Sequence, residues 1–134
     1  MNYDNYIYHL PIKVRDYELD AEGIVNNAIY LNYMEYTRHE FCEEKGISYR
    51  EMLEKGIIPV VRKIEIEYLN SLRFSDVVES CLWYERKGAK FIFHQDIFRG
   101  DEPIVRGIVT IVSIENGRLS RGERLAEYFK DYER

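Results

Sequence analysis

Asp20 stands three residues before Gly23 and six before the first of two adjacent asparagines, in the run Leu19-Asp20-Ala21-Glu22-Gly23-Ile24-Val25-Asn26-Asn27-Ala28. A carboxylate, a glycine turn and a helix-capping amide in that order set an acid or nucleophile beside the free N–H groups of a helix N-terminus. Those N–H groups stabilise negative charge. A carbonyl polarised there would develop its oxyanion on them, while the carboxylate either attacks the carbonyl carbon or takes a proton from water. The arrangement suits acyl transfer. The same residues also suit a local role, with Asp20 closing an Asx turn ahead of Gly23 and either asparagine capping the helix.

Other reactive side chains carry less. His9, His39 and His94 are scattered without ligand spacing, and Cys42 and Cys81 form no Cys-x-x-Cys pair, so no metal site is expected. The cysteines read as reduced thiols of a cytoplasmic protein. Cys42 falls far from the helix N-terminus, where nothing activates a thiolate. Glu35 and Arg38, three apart on the same helix, read as a structural pair. Tyr30 and Tyr33 either line a pocket or pack in the core. Arg86, Lys87 and Lys90, about Gly88, are the candidates for meeting anionic substrate groups, together with Arg118 and Arg121 beyond Asn116-Gly117; a basic hairpin tip is also an ordinary solvated turn.

The elements that must position these residues follow from periodicity. Residues 6–17 alternate loosely and predict a first strand or strand pair broken near Pro11. Asn26 or Asn27 then caps a helix running to about Lys45 and stopped by Gly46. Ala28, Leu31, Met34, Arg38 and Phe41 keep one helical face, while Ile29, Tyr30, Tyr33 and Tyr36 make its first turns apolar nearly all round. That pattern predicts a helix enclosed on most sides. A short second helix spans 48–54. From Ile58 the period becomes two, with Ile64, Ile66 and Tyr68 facing one way and Lys63, Glu65 and Glu67 the other. Three further strands, at about 76–86, 90–99 and 104–114, are separated by glycine turns and predict an antiparallel meander. A charged helix over 121–132 closes the chain. One helix cannot cover both faces of such a sheet, so the sheet curls around it and a second subunit buries what remains.

The chain of 134 residues is one domain over 1–134, too short for a βα barrel and long enough to fold without staples. Nineteen basic against 24 acidic residues give a net charge of −5, which argues against nucleic acid as a partner. Met1-Asn2-Tyr3-Asp4 lacks a basic leader, and no apolar run is long enough to span a membrane. Twelve tyrosines suit packed interfaces and pockets, so self-association is expected.

The stretch from Val14 to Phe41, with Asp20, Gly23, Val25 and Tyr30 at its centre and Glu35 and Arg38 following, resembles the hot dog fold acyl-CoA thioesterases of the 4-hydroxybenzoyl-CoA thioesterase-like branch. The likeness continues through Ile64-Glu65-Ile66-Glu67-Tyr68-Leu69 and Arg73-Phe74-Ser75-Asp76. It implies an α+β fold: a single hot dog domain with one long helix wrapped by a curved antiparallel sheet of about five strands. It further implies a homodimer, or a dimer of dimers, with sites at the subunit interface. By resemblance Asp20 is the catalytic carboxylate, the Asn27 N–H polarises the thioester carbonyl, and Gly23 lets the backbone approach the substrate. Asn26, Tyr30, Arg86, Lys87 and Lys90 are then the candidates for substrate binding. Relatives carry a histidine where Ile24 or Asn27 stands; this sequence has neither. Asp20 would therefore act as general base or nucleophile with backbone dipoles and an asparagine amide. The expected reaction is hydrolysis of an acyl thioester, with no cofactor beyond the coenzyme A of the substrate itself. Acyl carrier protein is the alternative carrier, and a non-catalytic thioester-binding module the alternative function. A hydroxyacyl dehydratase ranks below these, because the helix-entry segment offers no histidine to move the α-proton.

Overall fold

The computed structural model describes residues 5–134; the expectation drawn from Met1-Asn2-Tyr3-Asp4 lies outside the described residues. Strand β1 (Tyr8–Lys13) leads through a single 3-10 turn (Asp16–Glu18) to helix α1 (Asn27–Glu44) and the short α2 (Tyr49–Glu54). Then come β2 (Ile58–Tyr68), β3 (Val77–Lys87), β4 (Lys90–Arg99), β5 (Glu102–Glu115), the two-residue β6 (Arg118–Leu119) and α3 (Glu123–Phe129). All strand pairings are antiparallel, in the order β1-β3-β4-β5-β2 with β6 on β5. The architecture is the expected α+β one, a curled sheet holding one long helix.

Three expectations are corrected. Pro11 does not break β1; it pairs with Glu79 within an unbroken strand, tolerated because β1 is a sheet edge where a missing N–H costs no ladder bond. The run of four strands is not continuous: β3, β4 and β5 form the expected meander, but β2 crosses to the far edge beside β5. Nor is α1 enclosed on most sides. It buries one face, through Tyr30, Tyr33, Met34, Thr37, Arg38 and Phe41, and leaves Tyr36 half exposed.

That buried face sits in the concave side of the sheet, where period-two side chains of the strands meet period-three-four side chains of the helix. The Thr37 hydroxyl lies 2.6 Å from that of Ser80 on β3 and donates to the Tyr33 carbonyl at 2.7 Å or shares its proton across that pair, so neither oxygen is orphaned. Gly107 on β5 lies under Met34: a Cβ there would come within 2.5 Å of the Met34 Cε. The absent side chain lets the helix settle onto the sheet. Tyr84, Phe93 and Phe129 cluster at 5.2 to 5.8 Å between ring centres and close one end of the half-barrel. Among the described residues no helix is long and apolar enough to cross a membrane.

Candidate active site

The loop ahead of α1 is a tight hairpin. Leu19 pairs with Val25, the Asp20 N–H donates to the Ile24 carbonyl at 2.8 Å, and the Gly23 N–H donates to the Asp20 carbonyl at 3.1 Å. Closing so short a loop puts Gly23 at φ +80°, a conformation open to glycine and strained for other residues. Space is not the constraint, because nothing lies within 4 Å of where its Cβ would be. The Asp20 carboxylate takes part through one oxygen: Oδ1 accepts from the Glu22 N–H at 2.8 Å and the Ile24 N–H at 3.4 Å. Among the described residues Oδ2 accepts no hydrogen bond, and the side chain is exposed. Both sequence readings of Asp20 are thus compatible, since the turn uses one oxygen and leaves the other.

The helix start shows the same economy. Asn26 is the N-cap, its Oδ1 accepting from the Ala28 N–H at 3.0 Å, while its own N–H donates to the Glu18 carbonyl at 3.0 Å. The Ile29 N–H turns back to the Asn26 carbonyl at 2.9 Å. The Asn27 N–H finds no acceptor among the described residues and points out of the positive end of an 18-residue helix. A free carboxylate oxygen and a free helix N–H therefore occupy one exposed junction.

Residues distant in sequence hold that junction rigid. Ile24 pairs with Arg73 in the turn after β2, and the Val25 N–H donates to the Leu72 carbonyl at 2.9 Å. The Tyr30 hydroxyl accepts from the Leu72 N–H at 3.2 Å, and the Tyr68 hydroxyl donates to the Asn27 carbonyl at 3.1 Å. Tyr30 is buried, its hydroxyl proton held more tightly than usual by loss of water, so it serves as a core anchor rather than an open pocket wall. Beneath the loop lies Glu18, buried, accepting from the Tyr33 hydroxyl at 2.7 Å, the Arg15 N–H at 2.8 Å and the Arg15 guanidinium at 2.9 Å. Burial pushes its carboxyl up, and those three donors outweigh it, so the net shift is downward and Glu18 stays ionised. Glu18 and Tyr68 escaped the sequence reading. Tyr68 had a signal, as the last residue of a period-two face; Glu18 had none.

The remaining candidates separate. Arg86 is tied down, donating to the Gly88 carbonyl at 2.9 Å and the Arg121 carbonyl at 3.0 Å. Lys87 and Lys90 stand at the β3–β4 hairpin tip, whereas Arg73 and the Asp20 loop lie beside the opposite ends of those strands. The tip is about 30 Å from the helix start at the usual strand rise. There Lys87 and Lys90 share a recess of about 290 Å³ with Arg62 and Lys63 of β2, two cations the sequence reading did not connect to them, and with Glu65 and Glu85, which lie 3.6 Å from Lys63 and 3.7 Å from Lys87. Glu35 and Arg38 make no ion pair; Arg38 donates to the Gln95 side chain on β4 at 2.9 Å instead. Both cysteines are buried and unpaired, and no cluster of His, Cys, Asp and Glu able to hold a metal occurs among the described residues.

Comparison with known proteins gives a concordant result. The family profile described as the thioesterase-like superfamily matches residues 14–128. A chloroplastic acyl-acyl carrier protein thioesterase of Arabidopsis thaliana is 35% identical over 81% of this chain and 59% of its own length, so the chain spans somewhat over half of that relative. The acyl-CoA thioesterase YbgC of Haemophilus influenzae is 26% identical over 84% of both chains. Among solved structures, a hypothetical protein of Aquifex aeolicus superposes with a TM-score of 0.82 at 29% identity, covering 90% of this chain and 98% of that one.

Proposed function

The chain belongs to the thioesterase-like superfamily, and from that premise we propose that it hydrolyses acyl thioesters, acyl-CoA first among them, at the junction of Asp20 and Asn27. The observation that carries the reading is the pair of unspent groups on one rigid junction, the Asp20 Oδ2 and the Asn27 N–H. The thioester carbonyl would lie against the Asn27 N–H, where the helix dipole favours the developing oxyanion. Asp20, anchored through Oδ1, would use Oδ2 either to take the proton of an attacking water or to attack the carbonyl carbon itself. In either case the C–S bond breaks and the thiol leaves with a proton; a water activated by the base gives its oxygen directly to the free acid, whereas attack by Asp20 forms a mixed anhydride that water then cleaves, its oxygen ending on the acid or on Asp20.

A second copy is part of this proposal. The far edge of β2 is unpaired, and Val60, Val61 and Ile64 are each about 40% exposed along it, a hydrophobic edge that folded proteins cover. Antiparallel pairing of two β2 edges would lay the Ile58 end of one copy on the Tyr68 end of the other. The second copy's Arg62, Lys63, Lys87 and Lys90 would then approach the first copy's helix start, within reach of coenzyme A phosphates. Coenzyme A and acyl carrier protein present the same phosphopantetheine thioester, so both carriers belong in the assay.

The test is release of free thiol from a panel of acyl-CoAs. Asp20→Asn should retain the turn through its remaining side-chain oxygen yet lose about a hundredfold or more in kcat, the usual contribution of a positioned base. Undiminished turnover in a folded Asp20→Asn protein would overturn the assignment. Single turnover in ¹⁸O-water with rapid quench separates the two roles: label on Asp20, or a trapped acyl-Asp20 adduct, marks the nucleophile, and label in the product acid with neither of these marks the base.

A further inference from the structure

Arg38 is 6% exposed in the middle of α1, and the only acceptor on its guanidinium among the described residues is the neutral Gln95 side chain, through one N–H at 2.9 Å. Gln95 is fully buried and its orientation is set, because its own amide N–H₂ donates to the Met34 carbonyl at 2.8 Å. That leaves its oxygen facing Arg38. No carboxylate lies within ion-pair distance; Glu35, one turn earlier and exposed, acts on Arg38 only through its charge at longer range. A cation taken out of water with a single neutral partner lowers stability, and a methionine of similar volume would fill the space without that cost. A destabilising buried charge of this kind points to function.

Its surroundings say which function. Leu31, Glu35 and Arg38 form one row on the flank of α1, and the Gln95 that Arg38 meets on β4 lies in the rung that runs through Gly107 of β5 to Ile66 of β2, with Tyr49 of α2 near the guanidinium at the other end. Across from them, the inner face of β2 is not covered by the helix: Ile64 and Tyr68 are 41% and 45% exposed, with Ile66 partly buried between them. The resulting groove begins at the helix start, where Tyr68 meets Asn27, and Arg38 lies about 16 Å along it by helical rise. An acyl chain whose carbonyl rests on the Asn27 N–H would run down this apolar groove toward a guanidinium with donors to spare.

We propose that Arg38, held by Gln95, is the acyl-recognition residue of this enzyme and selects acyl groups that carry an acceptor oxygen, hydroxyl, keto or carboxylate, at their far end. The inference rests on the acyl-thioester reading of Asp20 and Asn27. The oxygen would take the guanidinium N–H groups that Gln95 leaves unused, so that a plain alkyl terminus of equal length strands them.

Two measurements test it. The first compares kcat/KM for saturated acyl-CoAs with that for acyl-CoAs of the same lengths ending in a hydroxyl or a carboxylate. At one chain length the oxygenated substrate should lead by tenfold or more; Arg38→Met should erase that ratio, and Arg38→Lys should restore part of it. The second is calorimetric titration with the free alkanoic, hydroxy and dicarboxylic acids, which needs no turnover. Arg38→Met should remove the preference for the oxygenated acids while raising Tm. No preference in the wild-type protein, or a preference that survives Arg38→Met, overturns the proposal. Selective binding of oxygenated acids by a protein that releases no thiol would instead overturn the hydrolase reading and leave the recognition residue standing.

Discussion

At the residue scale, the candidate site spends only part of its polar groups on structure and leaves the rest for the proposed chemistry. Asp20 gives one oxygen to its turn, and the helix N-terminus gives the Ala28 N–H to its cap and keeps that of Asn27. Such a division needs a stiff base, and Glu18 supplies it. Replacing Glu18 with Gln leaves the buried Tyr33 hydroxyl imperfectly matched and weakens the contact to the half-exposed Arg15 guanidinium, for a loss of about 1–3 kcal/mol in unfolding free energy. The pH dependence has a definite sign. Because the folded state holds Glu18 below its ordinary value of 4.5, its stabilising contribution is complete above that value and disappears as pH falls through the lower native one. Chemical denaturation from pH 7 to pH 3 should therefore show the wild-type advantage over Glu18→Gln shrinking only at the acid end. A constant difference across the range would mean the carboxylate's charge is irrelevant. Asp20, Gly23, Asn26 and Asn27 were legible in the sequence because a turn followed by a cap is local chemistry. Glu18, Tyr68 and Gln95 were not, because each acquires its role from a partner 15 to 57 residues away.

At the element scale, periodicity identified each helix and each long strand, and it failed where neighbours decide. Nothing local distinguishes a strand that continues a meander from one that crosses to the far edge, so the position of β2 beside β5 emerged only from the fold. Pro11 illustrates the same point, since whether a proline interrupts a strand depends on which edge that strand occupies. The seat of α1 on the sheet gives a sharp prediction. Gly107→Ala would drive a methyl into the Met34 Cε and toward the Gln95 carbonyl, 3.2 Å from the new carbon, at a cost of about 1–3 kcal/mol. Shortening the opposing side chain with Met34→Ala should return part of that loss in the double mutant, as a thermal-melt cycle would reveal. Strictly additive losses would mean the two positions do not oppose one another. Gly23→Ala is a contrasting case. With open space around it, any destabilisation reports backbone conformation alone, about 1–2 kcal/mol for a left-handed residue, and the Asp20 loop should loosen with it.

At the scale of the whole molecule, an excess of tyrosine and an incomplete barrel have a common explanation. Tyr30 and Tyr33 are spent inside the protomer, whereas Tyr68 and the apolar side chains of β2 line an edge and a groove that one chain leaves open. A second copy pairing through β2 would extend the sheet, roof the groove that leads to Arg38, and add Arg62, Lys63, Lys87 and Lys90 to a helix start that has Arg73 beside it. On the proposed site, association would be a condition of activity rather than an accessory to it. Val60→Lys with Val61→Lys places two charges on the exposed edge without touching the Asp20 junction, the Gly107 seat or the buried face of α1. The wild-type protein should sediment at twice its 16.1 kDa chain mass, and the double variant at the monomer mass with its circular dichroism intact. If the second copy completes the site, thiol release should fall with the dimer, and raising the concentration of the variant should recover both together. A monomer that keeps full turnover would confine the whole site to one chain and remove the partner's cations from the reaction.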